Sequence, residues 1–169
     1  MLRPLSAAAI LALLGSACST PSEIATERTN TGVPVVGSTL PVTRLRAEPY
    51  SFSYNSGITD SVRLAVRDAG EWQQVWSAVG HGTPLPQVDF GKEMVIVAAL
   101  GQRYSGGFSI YVDSAYQRDG HVEVVVRKVS PGARCATTAA LTEPVDLARL
   151  PASTQPVRFR ERSLVHDCG

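Results

Sequence analysis

The sequence MVIVAALGQRYSGGFSIYV, residues 94–112, joins two apolar patterns through a glycine-rich segment. Its first part, from Met94 to Leu100, is apolar without interruption, as in a strand that is covered on both faces. From Phe108 onward, apolar residues alternate with polar ones, which is typical of a strand with one buried face. The stretch therefore predicts two consecutive β-strands with a turn between them.

The glycine pair Gly106 and Gly107 lies directly before the second of these strands. Because no helix follows, there is no helix N-terminus with which to hold a phosphate. We expect the glycines to provide positive φ or a bulge, and a ligand-binding loop is the alternative. We also expect the Arg103 and Tyr104 side chains to have no role in the backbone and to present a recognition surface. The candidate partner-binding residues of the segment are Arg103, Tyr104, Ser105 and Phe108.

Short alternating patterns continue on both sides of this stretch. They predict strands within residues 42–54 and at 62–66, 122–126, 145–150 and 157–159. A hairpin is predicted at Asp119 and Gly120, since this dipeptide is a strong hairpin signal. Residues 42–169 are therefore expected to form a mainly β domain with antiparallel, sandwich-like sheets and one helix.

The helix is predicted at about residues 69–79, where the apolar residues change to helical spacing. Asp68 is a suitable N-cap, and Gly80 follows the last apolar residue as a stop signal. Trp72 and Trp76 lie one turn apart on the single apolar stripe of this helix. We interpret the pair as part of the core, and a carbohydrate-binding platform is the alternative.

Residues 1–17 have the features of a secretory signal peptide, with one positive charge, a short apolar segment and then small residues. Cys18 follows directly, which resembles the lipobox of bacterial lipoproteins, whose cysteine is acylated. This resemblance implies an exported protein held on a membrane by its lipid, and Ser19 resembles the signal for outer-membrane sorting, with the domain facing the periplasm. The alternative is an ordinary signal peptidase site that leaves Cys18 free. Residues 18–41 are rich in Thr, Ser and Pro, which predicts a flexible tether.

The chain has three cysteines, so lipidation of Cys18 leaves Cys135 and Cys168 as a pair. In an oxidising compartment these two most simply form a disulfide. A metal site made of Cys135, His166 and Cys168 is the alternative, although the spacing matches no zinc pattern.

The composition gives no direct sign of catalysis or of nucleic-acid binding. The 16 basic residues nearly balance the 15 acidic ones, so no basic face for phosphates is expected. The three histidines, His81, His121 and His166, are scattered, and no nucleophile elbow or zinc-protease motif occurs. We predict no catalytic residue, no metal and no cofactor. A small periplasmic hydrolase or ligand-binding domain is the alternative, because a catalytic triad is defined by geometry.

One charged pattern lies near the end of the chain. In VRFRER, the side chains of Arg158, Arg160 and Arg162 are expected on one side of an extended segment, opposite Val157 and Phe159. A solvated strand face accounts for this row. The alternative is a surface for an acidic partner, since arginines bind carboxylates in a bidentate manner.

Four segments taken together resemble the C-terminal domain of the PrcB family of protease-complex subunits. They are EWQQVW at residues 71–76, VDFGKEMVIVAALGQRYSGGFSI at 88–110, VSPGARC at 129–135 and LTEPVDLARLP at 141–151. The family is named for a bacterial lipoprotein that associates with and stabilises a secreted surface protease. The resemblance implies a non-catalytic accessory protein whose partner is a protease or another envelope protein.

Overall fold

The computed structural model describes residues 37–45 and 55–169. Within these residues the chain forms eight strands and one helix. The elements are β1 Ser38–Leu40, β2 Thr43–Arg44, β3 Val62–Val66, α1 Ala69–Val79, β4 Glu93–Ala99, β5 Ser109–Arg118, β6 His121–Pro131, β7 Val145–Pro151 and β8 Val157–His166. The mainly β class with a single helix is confirmed.

The strands form two four-stranded sheets, which pack face to face as a sandwich. The first sheet has the order β1-β5-β6-β8, and the second has the order β2-β7-β4-β3. Neighbouring strands are antiparallel except for β6 and β8, which run parallel. The chain crosses from β7 in the second sheet to the edge of the first, where β8 lies beside β6. The sequence predicts only a short strand at 157–159, whereas β8 has ten residues.

The central strand β4 is buried on both faces, as its uninterrupted apolar sequence predicts. Met94, Ile96 and Ala98 contribute to the core between the two sheets. The alternate residues Val95 and Val97 pack instead against α1. β4 is thus shared by both cores and fixes the helix, the second sheet and the first sheet as three layers.

Helix α1 begins and ends where its capping residues predict. The Asp68 carboxylate accepts a hydrogen bond from the backbone N–H of Glu71 at 2.8 Å, and Gly80 is the C-cap. A Cβ at Gly80 would lie 2.4 Å from the indole nitrogen of Trp76, so only glycine fits there. Trp72 and Trp76 are buried, and each donates an indole hydrogen bond of 3.0 Å to a backbone carbonyl. The core interpretation of this pair is therefore confirmed.

The described part of the domain begins earlier than the sequence suggests. Residues 38–40, which the sequence assigns to the end of the tether, form β1 and pair with β5, with Leu40 opposite Ala115. The physical reason is that Leu40 and Val42 pack against the core between the sheets. Of the strand predicted within 42–54, the structure shows β2, and Phe52 and Tyr54 lie outside the described residues. The signal peptide, Cys18 and the rest of the tether also lie outside them.

No helix in the described ranges is both long enough and apolar enough to cross a membrane.

Candidate functional site

The loop between β4 and β5, residues 100–108, lies at one end of the sandwich. Arg103 and Thr142 exchange two backbone hydrogen bonds, of 2.7 and 2.9 Å. The buried Thr142 hydroxyl donates to the carbonyl of Ser105 at 3.0 Å, and Gly106 N–H donates to the carbonyl of Thr138 at 3.0 Å. The segment that precedes β7 therefore holds the β4–β5 loop in one conformation.

The glycines of this loop serve the backbone, as the turn interpretation predicts. Gly107 has a φ of 87°, in the left-handed region that side chains disfavour. Gly106 has no such φ, but a Cβ there would lie 2.4 Å from the hydroxyl oxygen of Thr138. Gly101, at the start of the loop, combines a φ of 74° with a Cβ position 2.7 Å from the Thr59 carbonyl oxygen. Positive φ and close approach together explain why the loop is rich in glycine.

The Arg103 side chain has a structural role that the sequence did not suggest. Its guanidinium donates to the carbonyls of Leu100 at 2.8 Å and Gln102 at 3.0 Å. The same group lies 5.8 Å from the centre of the Phe108 ring, within cation–π range. The expectation that Arg103 has no duty toward the backbone is therefore wrong, because its short-range carbonyl partners become available only when the loop turns back on itself.

The four candidate residues of the loop consequently divide into two kinds. Arg103, Ser105 and Phe108 are half-buried, whereas the Tyr104 side chain is 84% exposed. Leu141, which sequence reasoning missed, is 56% exposed and directly precedes Thr142 in the strand bridge to Arg103. Because the bridge is antiparallel, Tyr104 and Leu141 lie on the same side of it on adjacent segments, and both side chains are exposed.

The disulfide between Cys135 and Cys168 is confirmed, with the two Cα atoms 5.0 Å apart. It joins the turn after β6 to the end of the chain after β8. In the same turn, Gly132 N–H donates to the His166 carbonyl at 2.8 Å, and Arg134 forms an ion pair with Asp167 at 2.9 Å. Among the described residues no group of three or more His, Cys, Asp or Glu is placed to hold a metal ion.

In the part of the chain that the structure describes, no hydrogen bond joins a histidine ring to a serine, threonine or cysteine side chain. His121 begins β6, and His166 lies opposite Pro131 at the far end of the same strand. The ring of His81, in the loop after α1, forms a hydrogen bond with the backbone carbonyl of Asn55.

The arginine row of β8, formed by Arg158, Arg160 and Arg162, lies on the outer face of the first sheet. Val157 and Phe159, the intervening residues, pack against the core, as predicted. Arg158 is exposed, and the other two arginines are half-buried. The salt bridges and side-chain hydrogen bonds of the described residues involve none of the three.

Glu161 lies on the opposite face of the same strand and forms two ion pairs. Its carboxylate pairs with Arg63 at 2.6 Å and with Lys128 at 2.5 Å. The hydrogen bond from Lys128, followed by the charge of Arg63, lowers the pKa of Glu161 below its ordinary value, although partial burial opposes the change. The one carboxylate of β8 is therefore unavailable to the arginine row.

Residues 94–151, which run from β4 through β7, match the family model for the PrcB C-terminal domain. Over these residues the chain is similar to the PrcB C-terminal family. No curated protein and no solved structure was found to match the chain. The match to the PrcB C-terminal domain includes the β4–β5 loop and Leu141, but β8 and Cys168 lie beyond it.

Within the PrcB C-terminal match, one carboxylate connects the two sheets. Asp146 of β7 accepts from the backbone N–H of Val112 at 2.7 Å and from Arg44 at 3.2 Å. Its side chain is only 13% exposed. Burial raises the pKa of Asp146 above its ordinary value, and the Val112 and Arg44 contacts offset only part of that effect. Sequence reasoning missed this residue because its pattern, VDLARL, gives no sign of a partner about one hundred residues away.

Proposed function

We propose that this protein is a membrane-anchored, non-catalytic accessory lipoprotein that binds or stabilises a secreted or envelope protease, or another envelope protein. The observation that carries the proposal is the match of residues 94–151 to the PrcB C-terminal family. That family is one of protease-complex subunits, which supports a role beside a protease rather than as one.

The surface around Tyr104 supports a binding role. Exposed tyrosines are among the residues that contribute most to protein–protein affinity. Because the β4–β5 loop is already fixed by hydrogen bonds to Thr138 and Thr142, binding loses little conformational entropy there. Leu141 adds exposed apolar area on the segment that is bridged to this loop. We propose that Tyr104 and Leu141 form the central contact with the partner.

The proposed membrane attachment would keep the surface around Tyr104 and Leu141 near the membrane. A lipid on Cys18 would hold the chain on the outer membrane, with the domain facing the periplasm. About twenty residues separate Cys18 from β1, and a flexible coil of that length has a root-mean-square span of roughly 25 Å. The domain would then be able to meet a partner close to the membrane without lying on it.

The test is affinity capture of the full-length, tagged protein from envelopes after chemical crosslinking. Wild type is compared with Tyr104→Ala and with Leu85→Ala, which removes an exposed apolar side chain in the loop after α1. We expect wild type and Leu85→Ala to capture the same envelope protein, and Tyr104→Ala to capture at least about tenfold less, as for a binding hot spot.

The proposal fails if no envelope protein is enriched by wild type over an untagged control. It also fails if the protein turns over a substrate, or retains a small molecule through purification. Either of those last results would favour the hydrolase or ligand-binding alternative.

A further inference from the structure

β8 is an open edge of the first sheet. Among the described strands only β6 pairs with it, and six of its ten residues are exposed. Long, exposed edge strands are templates on which another extended chain can add a strand. The properties of this edge therefore determine what would pair with it.

Two hydrogen bonds, one at each end of β8, show which of its backbone groups face β6 and which face the open side. The Pro156 carbonyl accepts from Val122 N–H at 3.0 Å, and the His166 carbonyl accepts from Gly132 N–H at 2.8 Å. In a parallel ladder, alternate residues turn both N–H and C=O toward the same neighbour. The even-numbered residues therefore face β6. Phe159, Glu161 and Ser163 turn their N–H and C=O groups toward the open side.

The side chains along this edge alternate in chemistry. On the outer face of the sheet lie the three unpaired arginines of the row, followed by Leu164, which is 50% exposed. On the inner face, Val157 and Phe159 are half-buried and form the rim of the core. Glu161, the only acidic residue of the strand, is already neutralised by Arg63 and Lys128.

We infer that the β8 edge accepts an extended acidic segment of the partner protein, with Asp or Glu at alternate positions and apolar residues between them. The inference rests on the proposed function and specifies the partner's chemistry. Such a segment would add a strand to the first sheet. Its carboxylates would lie beside Arg158, Arg160 and Arg162, at the short distances of cross-strand neighbours, and its apolar residues would cover the exposed rim of Val157 and Phe159.

The same charges disfavour a second copy of this chain. Two β8 edges pairing with each other would bring the arginine rows together, and like charges on facing strands are destabilising. The row therefore allows the edge to remain open without self-association, while it attracts an acidic strand.

The probe for the test is a fluorescein-labelled nonapeptide in which glutamate alternates with valine or threonine. Its binding to the full-length protein in detergent micelles is measured by fluorescence anisotropy. The control peptide has the same composition, with all of its glutamates contiguous. We expect the alternating peptide to bind more tightly, and its affinity to fall as salt is raised.

Two variants separate the charges of the edge from its backbone. Replacing Arg158, Arg160 and Arg162 together by Gln should weaken peptide binding about tenfold. This is the loss expected when the small binding free energies of three exposed charge pairs are added. Ser163→Pro removes an outward N–H but none of the bonds to β6, so it should abolish binding while the domain stays folded. Ser163→Ala and the double variant Lys92→Gln/Arg134→Gln are the matched controls, and both should bind as wild type does.

The inference is overturned if both peptides bind equally, or if the arginine and Ser163→Pro variants bind as wild type does. The Cys18→Ala protein is also tested against phosphatidylglycerol vesicles. If it binds the vesicles but no peptide, and if the triple arginine variant loses this binding, the arginine row contacts a membrane and the inference fails. Self-association of wild type through β8 would also contradict it. If envelope capture is lost with Tyr104→Ala but kept by the triple variant, the proposed function stands and this inference alone fails.

Discussion

The carboxylate of Asp146 in β7 accepts a hydrogen bond of 2.7 Å from the backbone N–H of Val112 in β5, and so links the two sheets through one partly buried side chain. Val112 directly precedes the irregularity in the pairing of β5 with β6. The N–H is therefore satisfied by the opposite sheet at a point where the ladder of its own sheet is interrupted.

Asp146→Ala should lower the free energy of unfolding by about 1–3 kcal/mol, because it leaves the Val112 N–H without its acceptor. Asp146→Asn should cost less, since the amide oxygen can still accept this bond. Urea denaturation at neutral pH, with both variants and wild type, measures the two costs. Equal stability of Asp146→Ala and wild type would show that the link contributes nothing.

The raised pKa of Asp146 also predicts a pH dependence. The folded state binds a proton on the Asp146 carboxyl group more tightly than the unfolded state does. The stability that this protonation contributes is therefore fully present below the unfolded pKa and is lost as pH rises through the folded pKa. The advantage of wild type over Asp146→Asn should therefore grow as pH falls toward 3.8, the ordinary value.

Glu161→Gln is the control of opposite sign. Because the pKa of Glu161 is lowered, its contribution is present above the ordinary value of 4.5 and is lost as pH falls through the folded pKa. The advantage of wild type over Glu161→Gln should therefore shrink at low pH. If both differences changed in the same direction, the assignment of the two carboxylates would be wrong.

Gly107→Val should destabilise the domain by about 1–3 kcal/mol, the cost of forcing a β-branched residue to positive φ. Gly107→Ala adds a contact, since its Cβ would lie 3.1 Å from Pro131. The matched control is Gly120→Ala, which has a φ of 70° but no neighbour within 4 Å. Thermal unfolding should show a greater loss for Gly107→Ala than for Gly120→Ala. If Gly107→Val were as stable as wild type, the turn interpretation would be wrong, and a ligand-binding loop would be the remaining interpretation.

Reduction of the Cys135–Cys168 disulfide should lower the melting temperature. The bond spans 33 residues, for which the chain-entropy estimate is about 4 kcal/mol as an upper value. Cys135→Ser and Cys168→Ser should show equal losses, and the double variant should lose no more than either one. Peptide mapping without reductant should recover one linked pair, whereas two free thiols in protein from its native compartment would contradict the structure.

Cys18→Ala should release the protein from the membrane fraction if Cys18 carries the lipid. Each buried methylene of an acyl chain contributes about 0.8 kcal/mol to membrane binding. A protein without the acyl chains should therefore no longer stay bound to the membrane. Fractionation of cells expressing wild type or Cys18→Ala measures this directly. A correctly processed Cys18→Ala protein that stays with the membranes would refute the lipid anchor.

Local patterns predicted the parts of the fold whose causes are local. The uninterrupted apolar residues 94–100 indicated a strand buried on two faces, and Asp68 and Gly80 marked the ends of α1 correctly. The cysteine count indicated the disulfide, because only one pair remained once Cys18 was set aside. In each case the deciding interaction is either short in sequence or fixed by composition.

The remaining features depend on contacts that sequence spacing does not encode. Asp146 and Arg44 meet across 102 positions, and the parallel pairing of β8 with β6 joins strands that are not consecutive in the chain. Arg103 looked available because its carbonyl partners, Leu100 and Gln102, face it only after the loop has turned. Leu141 was missed because a single apolar residue before a strand carries no periodic signal.

The most direct test of binding through the β4–β5 loop is photo-crosslinking from position 104 in intact cells. A photoreactive phenylalanine analogue replaces Tyr104 in the full-length protein, and the same analogue at Leu85 serves as the control. We predict that position 104, and not position 85, forms a crosslink to a single envelope protein, identified by mass spectrometry as a protease or another envelope protein. Equal crosslinking from both positions, or no protein adduct at position 104, would contradict the claim that this domain is a binding subunit acting through the β4–β5 loop.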